Sequence, residues 1–314
     1  LDIDFVEDLK ESPTYAISDF MREYESVYTG SNSDNLVSEE KLNKARTVKC
    51  AEWEHCGDSN VQYVLSYDVA REEGNENAMS SLVVIKLTPK SDGTYIKEIV
   101  NIFNTEGTHD TVQAKFLKQK VKEFKPKILV VDANGLGSGV VDQLVLKLDD
   151  GNPPYKVVNN DKYIKYEQSD SIPILFALKA QEAETKNTDM LNRFMTMMNK
   201  LDVGLLINPA NGIKELEKKY KRKIKDSEEL AELQIPYILT NNMCEQIMNL
   251  RYKQQGNITK VERISNRIQK DMFSALEYGL FWVYLDERKN VERNKKSNFD
   301  PRRAIKYRQP QTHY

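Results

Sequence analysis

Three aspartates in this sequence have flanking residues that could bring them to one site. Asp68 ends an apolar, β-branched and aromatic run, and Asp132 ends a second, continuously apolar run. Asp271 opens a segment whose apolar residues share one helical face. Open α/β sheets commonly hold ligands at strand ends, and a helix docked at that edge adds the third acid. We therefore expect the three carboxylates to converge.

Clustered carboxylates favour a hard divalent cation, because the acids repel one another and such cations prefer oxygen ligands. Two ions roughly 3.5–4 Å apart would activate a water for attack on phosphorus and stabilise the leaving oxygen. The chain has only three histidines, which agrees with an acid-only site. The trio predicts phosphodiester hydrolysis with Mg²⁺ or Mn²⁺, between which these ligands do not discriminate.

Each aspartate also has a bland explanation when it is taken alone. Asp68 could start a turn, Asp132 could belong to an Asp-Ala-Asn-Gly turn, and Asp271 could stabilise a helix N-terminus. The order of the three acids and their flanking residues favour the catalytic interpretation. Glu76 and Asp142 are candidates for an accessory ligand, although Asp142 falls in a predicted helix and is expected to face solvent.

The elements around these acids are predicted from apolar periodicity. Three strand-like runs joined by short turns predict an antiparallel meander, and later strands alternate with helices. Residues 172–255 have a mostly helical pattern, with turns near 208–209 and 234–236. The predicted strands cover 61–68, 82–87, 95–103, 128–132 and 155–158; the predicted helices cover 108–124 with Thr108 as N-cap, 140–148, and 268–284.

Composition bounds the class of protein. Hydrophobic residues make up 39% and charged residues 30% of 314, which is typical of a polar globular chain. No apolar stretch is long enough for a membrane span, and no signal peptide is recognisable, so we expect a cytoplasmic protein. The chain begins with Leu1 and is interpreted as a piece of a longer protein.

The formal net charge is only −2, but residues 218–225 form one strongly basic run. Charge runs are usually solvated surfaces, but a run of this density could contact several phosphates. We expect it to contact DNA without reading bases. Its six cationic residues are Lys218, Lys219, Lys221, Arg222, Lys223 and Lys225.

Longer motifs around the acids resemble those of one known family. Residues 67–71, followed by a Gly-containing turn and a strand, resemble the first nuclease motif of viral large terminases. Residues 130–144, with their Gly-rich turn, are similar to the second motif, and residues 270–279 to the third. Residues 20–30 resemble the connection between the motor and nuclease halves, whereas 160–255 match loosely.

This resemblance implies the C-terminal nuclease domain of a bacteriophage large terminase. The implied fold is α/β and ribonuclease H-like: a mixed central sheet, with an antiparallel meander plus parallel strands, flanked by helices. The implied divisions are a linker region at 1–60 that follows an ATPase domain, a nuclease domain at 61–285, and a basic, flexible tail at 286–314. The predicted metal ligands and catalytic residues are Asp68, Asp132 and Asp271.

The implied activity is a two-metal endonuclease that cuts concatemeric double-stranded DNA to start and end genome packaging in the host cytoplasm. The implied partners are the ATPase domain, the portal or procapsid and a small terminase subunit. No P-loop motif occurs in this sequence, so we expect it to cut but not to translocate DNA. The alternatives are a resolvase- or integrase-type nuclease, an actin-like ATPase module, and a non-catalytic packaging adaptor.

Overall fold

The structure is a computed structural model that describes residues 35–70, 79–106, 109–135, 137–179, 184–256, 258–265 and 267–297. The strands are β1 (Arg46–Val48), β2 (Gln62–Asp68), β3 (Met79–Pro89), β4 (Tyr95–Glu106), β5 (Ile128–Asp132), β6 (Tyr155–Val157), β7 (Ile172–Leu178), β8 (Val203–Leu206), β9 (Leu250–Gln255) and β10 (Ile258–Arg263). The helices are α1 (Glu39–Lys44), α2 (Asp110–Phe124), α3 (Gly137–Leu144), α4 (Glu184–Asn199), α5 (Pro209–Tyr220), α6 (Ser227–Met248) and α7 (Asp271–Ser297), with a 3-10 helix at Asp161–Tyr166.

Eight strands form the central sheet, in the order β1-β8-β4-β3-β2-β5-β7-β6. Strand β3 pairs antiparallel with β2 and β4, and the other pairings in the sheet are parallel. This arrangement confirms the predicted antiparallel meander and the predicted mixed central sheet. Because only β3 is reversed, the carboxyl ends of β2, β5 and β8 all lie at one edge of the sheet.

Helices cover both faces of the sheet, and each face has its own apolar core. Helices α2, α3 and α5 pack on one face around residues such as Leu117 and Leu216. Helices α4 and α7 pack on the other, where Phe194 and Phe273 meet edge to face with ring centroids 5.0 Å apart. The strands are buried on both sides, which explains their nearly continuous apolar sequences.

Helix α7 lies unusually close to the sheet at Gly279. A Cβ at this position would be 2.7 Å from the Ile85 Cδ1 atom and 2.9 Å from the Ser66 Cβ atom, so only glycine fits without a shift. The close approach holds α7 over β2 and β3. It therefore also fixes the distance between the sheet and the first residue of the helix, Asp271.

Several predicted boundaries differ from the structure. Helix α2 begins at Asp110 with His109 as its N-cap, and the predicted cap Thr108 lies outside the described residues. Helix α7 continues to Ser297, beyond the predicted end at Tyr284. Its continuation is tied to the sheet, because the Glu287 carboxylate lies 2.7 Å from the buried Lys97 ammonium.

The mostly helical prediction for residues 172–255 was wrong in part. Strands β7 and β8 lie there, because a short apolar run cannot be assigned to helix or strand by periodicity, and pairing with neighbours decides. The predicted turn at 234–236 was also wrong, since α6 runs through Pro236. Tertiary packing overrides the local signal: the buried Tyr237 hydroxyl donates to the Lys49 carbonyl and accepts from the Ala51 amide.

Residues 1–60 were predicted to contain no strand, yet β1 lies within them and pairs with β8. Leu36 and Leu42 on the same segment are 2% exposed and belong to the core around α7. The motor–nuclease connection at 20–30, like the rest of 1–34, lies outside the described residues, as do 298–314. The division of the chain at residues 60 and 286 stays a prediction.

Among the described helices, none combines the length and the apolarity that a membrane span requires.

Candidate active site

Asp68 and Asp132 are neighbours at the carboxyl edge of the sheet. Strands β2 and β5 are parallel and Tyr67 pairs with Val131, so the next residues along each strand are the two aspartates. Adjacent strands are about 5 Å apart, which brings the two Cα atoms to about that distance. Both aspartates are only partly buried and therefore remain accessible from solvent.

The alternation of side chains places both acids on the face that α7 covers. On β2, Val64 belongs to the core beneath α7, whereas Leu65 belongs to the opposite core. On β5, Val130 belongs to the core beneath α7 and Leu129 to the opposite core. Because successive strand residues point to opposite faces, Asp68 and Asp132 share the α7 face with Val64 and Val130. A register shift of one residue on either strand would separate them.

Asp271 is the first residue of α7 and reaches the same edge from the helix layer. Its charge interacts with that of Asp68, as does the charge of Asp132. The structure thus brings the three predicted acids into one electrostatic neighbourhood, two from strands and one from a helix. The three acids are not yet close enough to bind one ion together. Within the described residues, no three His, Cys, Asp or Glu side chains are grouped closely enough to hold one ion.

Burial raises the pKa of all three carboxyls, and repulsion by the other two acids adds to the rise at Asp68. Burial is the largest cause for Asp68, whose pKa lies far above its ordinary value, followed by the charges of Asp132 and Asp271. Burial also raises the pKa of Asp132 and of Asp271, while the nearby Lys270 ammonium opposes the rise at each of the three. A divalent cation would relieve this repulsion, so the donor chemistry fits the metal that the sequence predicts.

The turn after β5 orients the Asp132 carboxylate. The backbone and side-chain amides of Asn134 both donate to Asp132 Oδ1, each at 2.9 Å. The turn then closes against the strand end: a Cβ at Gly137 would lie 1.8 Å from the Asp132 carbonyl oxygen. Glycine at 137 is therefore required for the chain to enter α3 so close to the acid.

Sequence reasoning missed two groups at this edge. Lys270 precedes Asp271, and its charge acts on Asp68, Asp132 and Glu277. Glu277 is 9% exposed, and burial raises its pKa to about 7. A lone carboxylate inside an otherwise apolar helix is the signal that could have identified Glu277.

A cavity of about 310 Å³ opens beside these groups. Phe273 and Glu277 of α7, with Lys270 just before the helix, form one wall, and residues of α4 and β10 form the others. The cavity extends the accessible surface of the acidic edge toward the β9–β10 hairpin.

Of the two accessory candidates, the structure describes only Asp142, and Asp142 does not join the trio. Glu76 lies outside the described residues. Asp142 is exposed on α3, as expected, and the acidic charge that acts on it is that of Asp110. Asp142 is absent from the groups whose charges shift Asp68.

The basic run is exposed, but half of its cations already have acidic partners. Lys218 pairs with Glu215, Lys223 with Glu217, and Arg222 with Glu229. The run occupies the end of α5 and the turn that follows it. Helix α5 starts near the carboxyl end of β8, but it packs on the face of the sheet opposite to α7, and the run lies at its far end.

No protein-family model and no curated protein sequence matches this chain. Among solved structures, it is similar to the large terminase nuclease of thermophilic phage G20c with bound magnesium, at 12% identity and a TM-score of 0.45, covering 80% of this chain and 98% of that one. It is also similar to the large terminase nuclease domain of Thermus phage P74-26, at 12% identity and 0.43, covering 76% and 91%. The nuclease domain of the large terminase subunit of bacterial virus Sf6 aligns at 8% identity and 0.41, covering 78% and 98%. The chain is thus similar, at low identity and over most of its length, to nuclease domains of phage large terminases.

Proposed function

We propose that this chain is a divalent-metal-dependent DNA endonuclease, the nuclease part of a viral DNA-packaging terminase. Its substrate would be concatemeric double-stranded DNA, cut to start and end genome packaging. The observation that carries the proposal is the pairing of Asp68 and Asp132 on adjacent parallel strands, with Asp271 opposite them on α7. The motif resemblance at residues 67–71, 130–144 and 270–279 supports the terminase assignment.

In this proposal Asp68, Asp132 and Asp271 would hold two Mg²⁺ or Mn²⁺ ions, which supply Lewis acidity toward the attacking water and the leaving oxygen. The chain itself orients the ligands. Asn134 fixes the rotation of the Asp132 carboxylate through its two hydrogen bonds, and α7 holds Asp271 at the edge through its close packing on the sheet. Lys270 moderates the repulsion among the acids.

The basic run at 218–225 is proposed as a DNA contact. The ATPase domain, the portal or procapsid and the small terminase subunit are the partners proposed for the whole protein. The basic tail residues Arg302, Arg303, Lys306 and Arg308 lie outside the described residues, and they are proposed to contact DNA or the portal.

Plasmid cleavage tests the proposal. We expect the 314-residue chain to cut supercoiled DNA with Mn²⁺ or Mg²⁺, and EDTA to stop the reaction. Asp132→Asn, which keeps the size of the side chain, is expected to lower the rate by at least about 100-fold. Asp161→Asn, which changes an exposed aspartate of the 3-10 helix, is the matched control and should cut as the wild type does.

The outcomes separate the alternatives. ATP binding without metal-dependent cleavage would favour an actin-like module, and neither activity would favour a packaging adaptor. A strong preference for branched over linear DNA would favour a resolvase. If Asp132→Asn cuts as fast as the wild type, the site assignment is wrong.

A further inference from the structure

An open groove of about 1100 Å³ separates the end of β1 from helix α5. Arg46 and Lys49 lie on the β1 side of this groove. Lys214 and Lys218 lie one turn apart on α5, and Lys221 caps the end of that helix. The groove therefore has cationic side chains on two opposing walls that are far apart in sequence.

The groove keeps a positive charge after its internal ion pairs are considered. Seven Lys or Arg residues and two Glu residues line it. The two glutamates pair with Lys218 and Lys223, and Glu229 pairs with Arg222. Among the described residues, no ion pair includes Lys49, Lys214 or Lys221, and all three are exposed. These three ammonium groups are consequently available to an external anion.

The groove lies on the face of the sheet that α5 covers, opposite to the face that α7 and the acids occupy. Strand β1 is parallel to β8, and β8 to β4, which runs in the same direction as β2. Three strand spacings separate β8 from β2, which is on the order of 15 Å. The groove is therefore separated from the acids by about three strands and by the thickness of the sheet.

We propose that this groove binds the phosphate backbone of DNA as a holding site distinct from the cutting edge. The inference rests on the proposed function for the identity of the polymer. Lysines one helical turn apart are about 5–6 Å from each other, which suits successive phosphates of one strand. Lys49 and Lys214 supply contacts that the basic run at 218–225 does not include, and Lys218, Arg222 and Lys223 contribute less because their charges are already paired.

Salt-dependent DNA binding tests the holding site. The variant Lys49→Gln/Lys214→Gln/Lys221→Gln is compared with Lys90→Gln/Lys122→Gln/Lys125→Gln, in the full chain, in EDTA, with a duplex of about 30 base pairs. Both variants remove three exposed lysines, and each includes one residue with positive φ, Lys221 at 53° and Lys125 at 47°. The control lysines lie at the opposite edge of the sheet, near the β3–β4 turn and the end of α2.

We expect the groove variant to bind about 10- to 100-fold more weakly near 100 mM KCl, and its salt slope to fall by about 2–3. The control should stay within about threefold of the wild type. Equal weakening of both variants would overturn the proposal, because net charge alone would then explain binding. Tighter binding of inorganic triphosphate than of DNA, lost in the groove variant, would also overturn it and assign the groove to a free polyphosphate.

This experiment is independent of cleavage. If the wild type cuts DNA but the groove variant binds like the control, the holding site is wrong and the nuclease stands. If the groove variant loses DNA binding but the wild type never cuts DNA with Mn²⁺, the nuclease is wrong and the groove remains a DNA-binding site.

Discussion

The fold shifts the ionisation of Glu277 into a pH range in which protein stability can be measured. Burial on α7 raises its pKa from 4.5 to about 7, and Lys270 only partly opposes the shift. Between these two pH values the folded chain holds a proton that the unfolded chain has released. The free energy of unfolding therefore falls as pH rises through this window, and the loss is complete above about pH 8.

Glu277→Gln removes that ionisation while it keeps the size of the side chain. We expect the variant to be more stable than the wild type by about 3 kcal/mol at pH 8 in EDTA, and by little at pH 4.5. Urea unfolding at both pH values measures the difference. Glu228→Gln, at an exposed position of α6, is the control. Parallel pH dependence in Glu277→Gln and the wild type would mean that Glu277 is not desolvated.

At the residue scale, the sequence predicts the three acids but not their surroundings. Asp68 and Asp132 follow apolar runs, so their positions at strand ends are visible in the local pattern. The grouping with Lys270 and Glu277 depends on how α7 docks against the sheet, which is a long-range property. For the same reason, Lys49 and Lys214 cannot be joined to the basic run from the sequence alone.

At the scale of elements, the turn between β5 and α3 links backbone geometry to the site. Gly137→Ala would place a methyl group 1.8 Å from the Asp132 carbonyl oxygen. The backbone must then shift, which we expect to cost about 2–3 kcal/mol and to lower the cleavage rate at least about tenfold. Thermal unfolding and plasmid cleavage measure the two effects.

Gly135→Asn is the control for that turn. Gly135 has φ of 50°, which asparagine tolerates, and a Cβ there meets open space. It should stay near wild-type stability and activity. Comparable losses in both variants would show that the turn tolerates no change and that the close approach at Gly137 is not the cause.

The elements that the sequence predicts well are those with strong, uninterrupted patterns. Strands β2 and β5 are recognisable from nearly continuous apolar runs, and helix α2 from buried residues at helical spacing. Strands β7 and β8 are missed because their short apolar runs fit either state, and only pairing with β5 and β4 decides. Helix α6 is interrupted in the prediction because Pro236 is a strong local breaker whose effect packing overrides.

At the scale of the whole molecule, residues 35–48 pack with the central sheet. Leu42 on α1 is 2% exposed and belongs to the core beneath α7. We expect Leu42→Ala to lower the free energy of unfolding by about 2–4 kcal/mol in a single cooperative transition. Val112→Ala on α2, at a position 55% exposed, is the control and should change it by less than about 0.5 kcal/mol.

Denaturant unfolding of both variants also tests the predicted division at residue 60. If Leu42→Ala is as harmless as Val112→Ala, residues 39–44 lie outside the cooperative fold and act as a linker. A large loss instead moves the start of the nuclease domain toward the amino terminus, to include α1 and β1.

Two strands and a helix bring three carboxylates to the acidic edge, and the proposal is that these carboxylates hold metal. Anomalous diffraction from a crystal soaked in Mn²⁺ tests it most directly. We expect manganese peaks within coordination distance, about 2.0–2.3 Å, of carboxylate oxygens of Asp68 and Asp132, with Asp271 contacting at least one ion. Peaks only at other acids such as Glu277 or Asp142, or no peak at this edge, would contradict it.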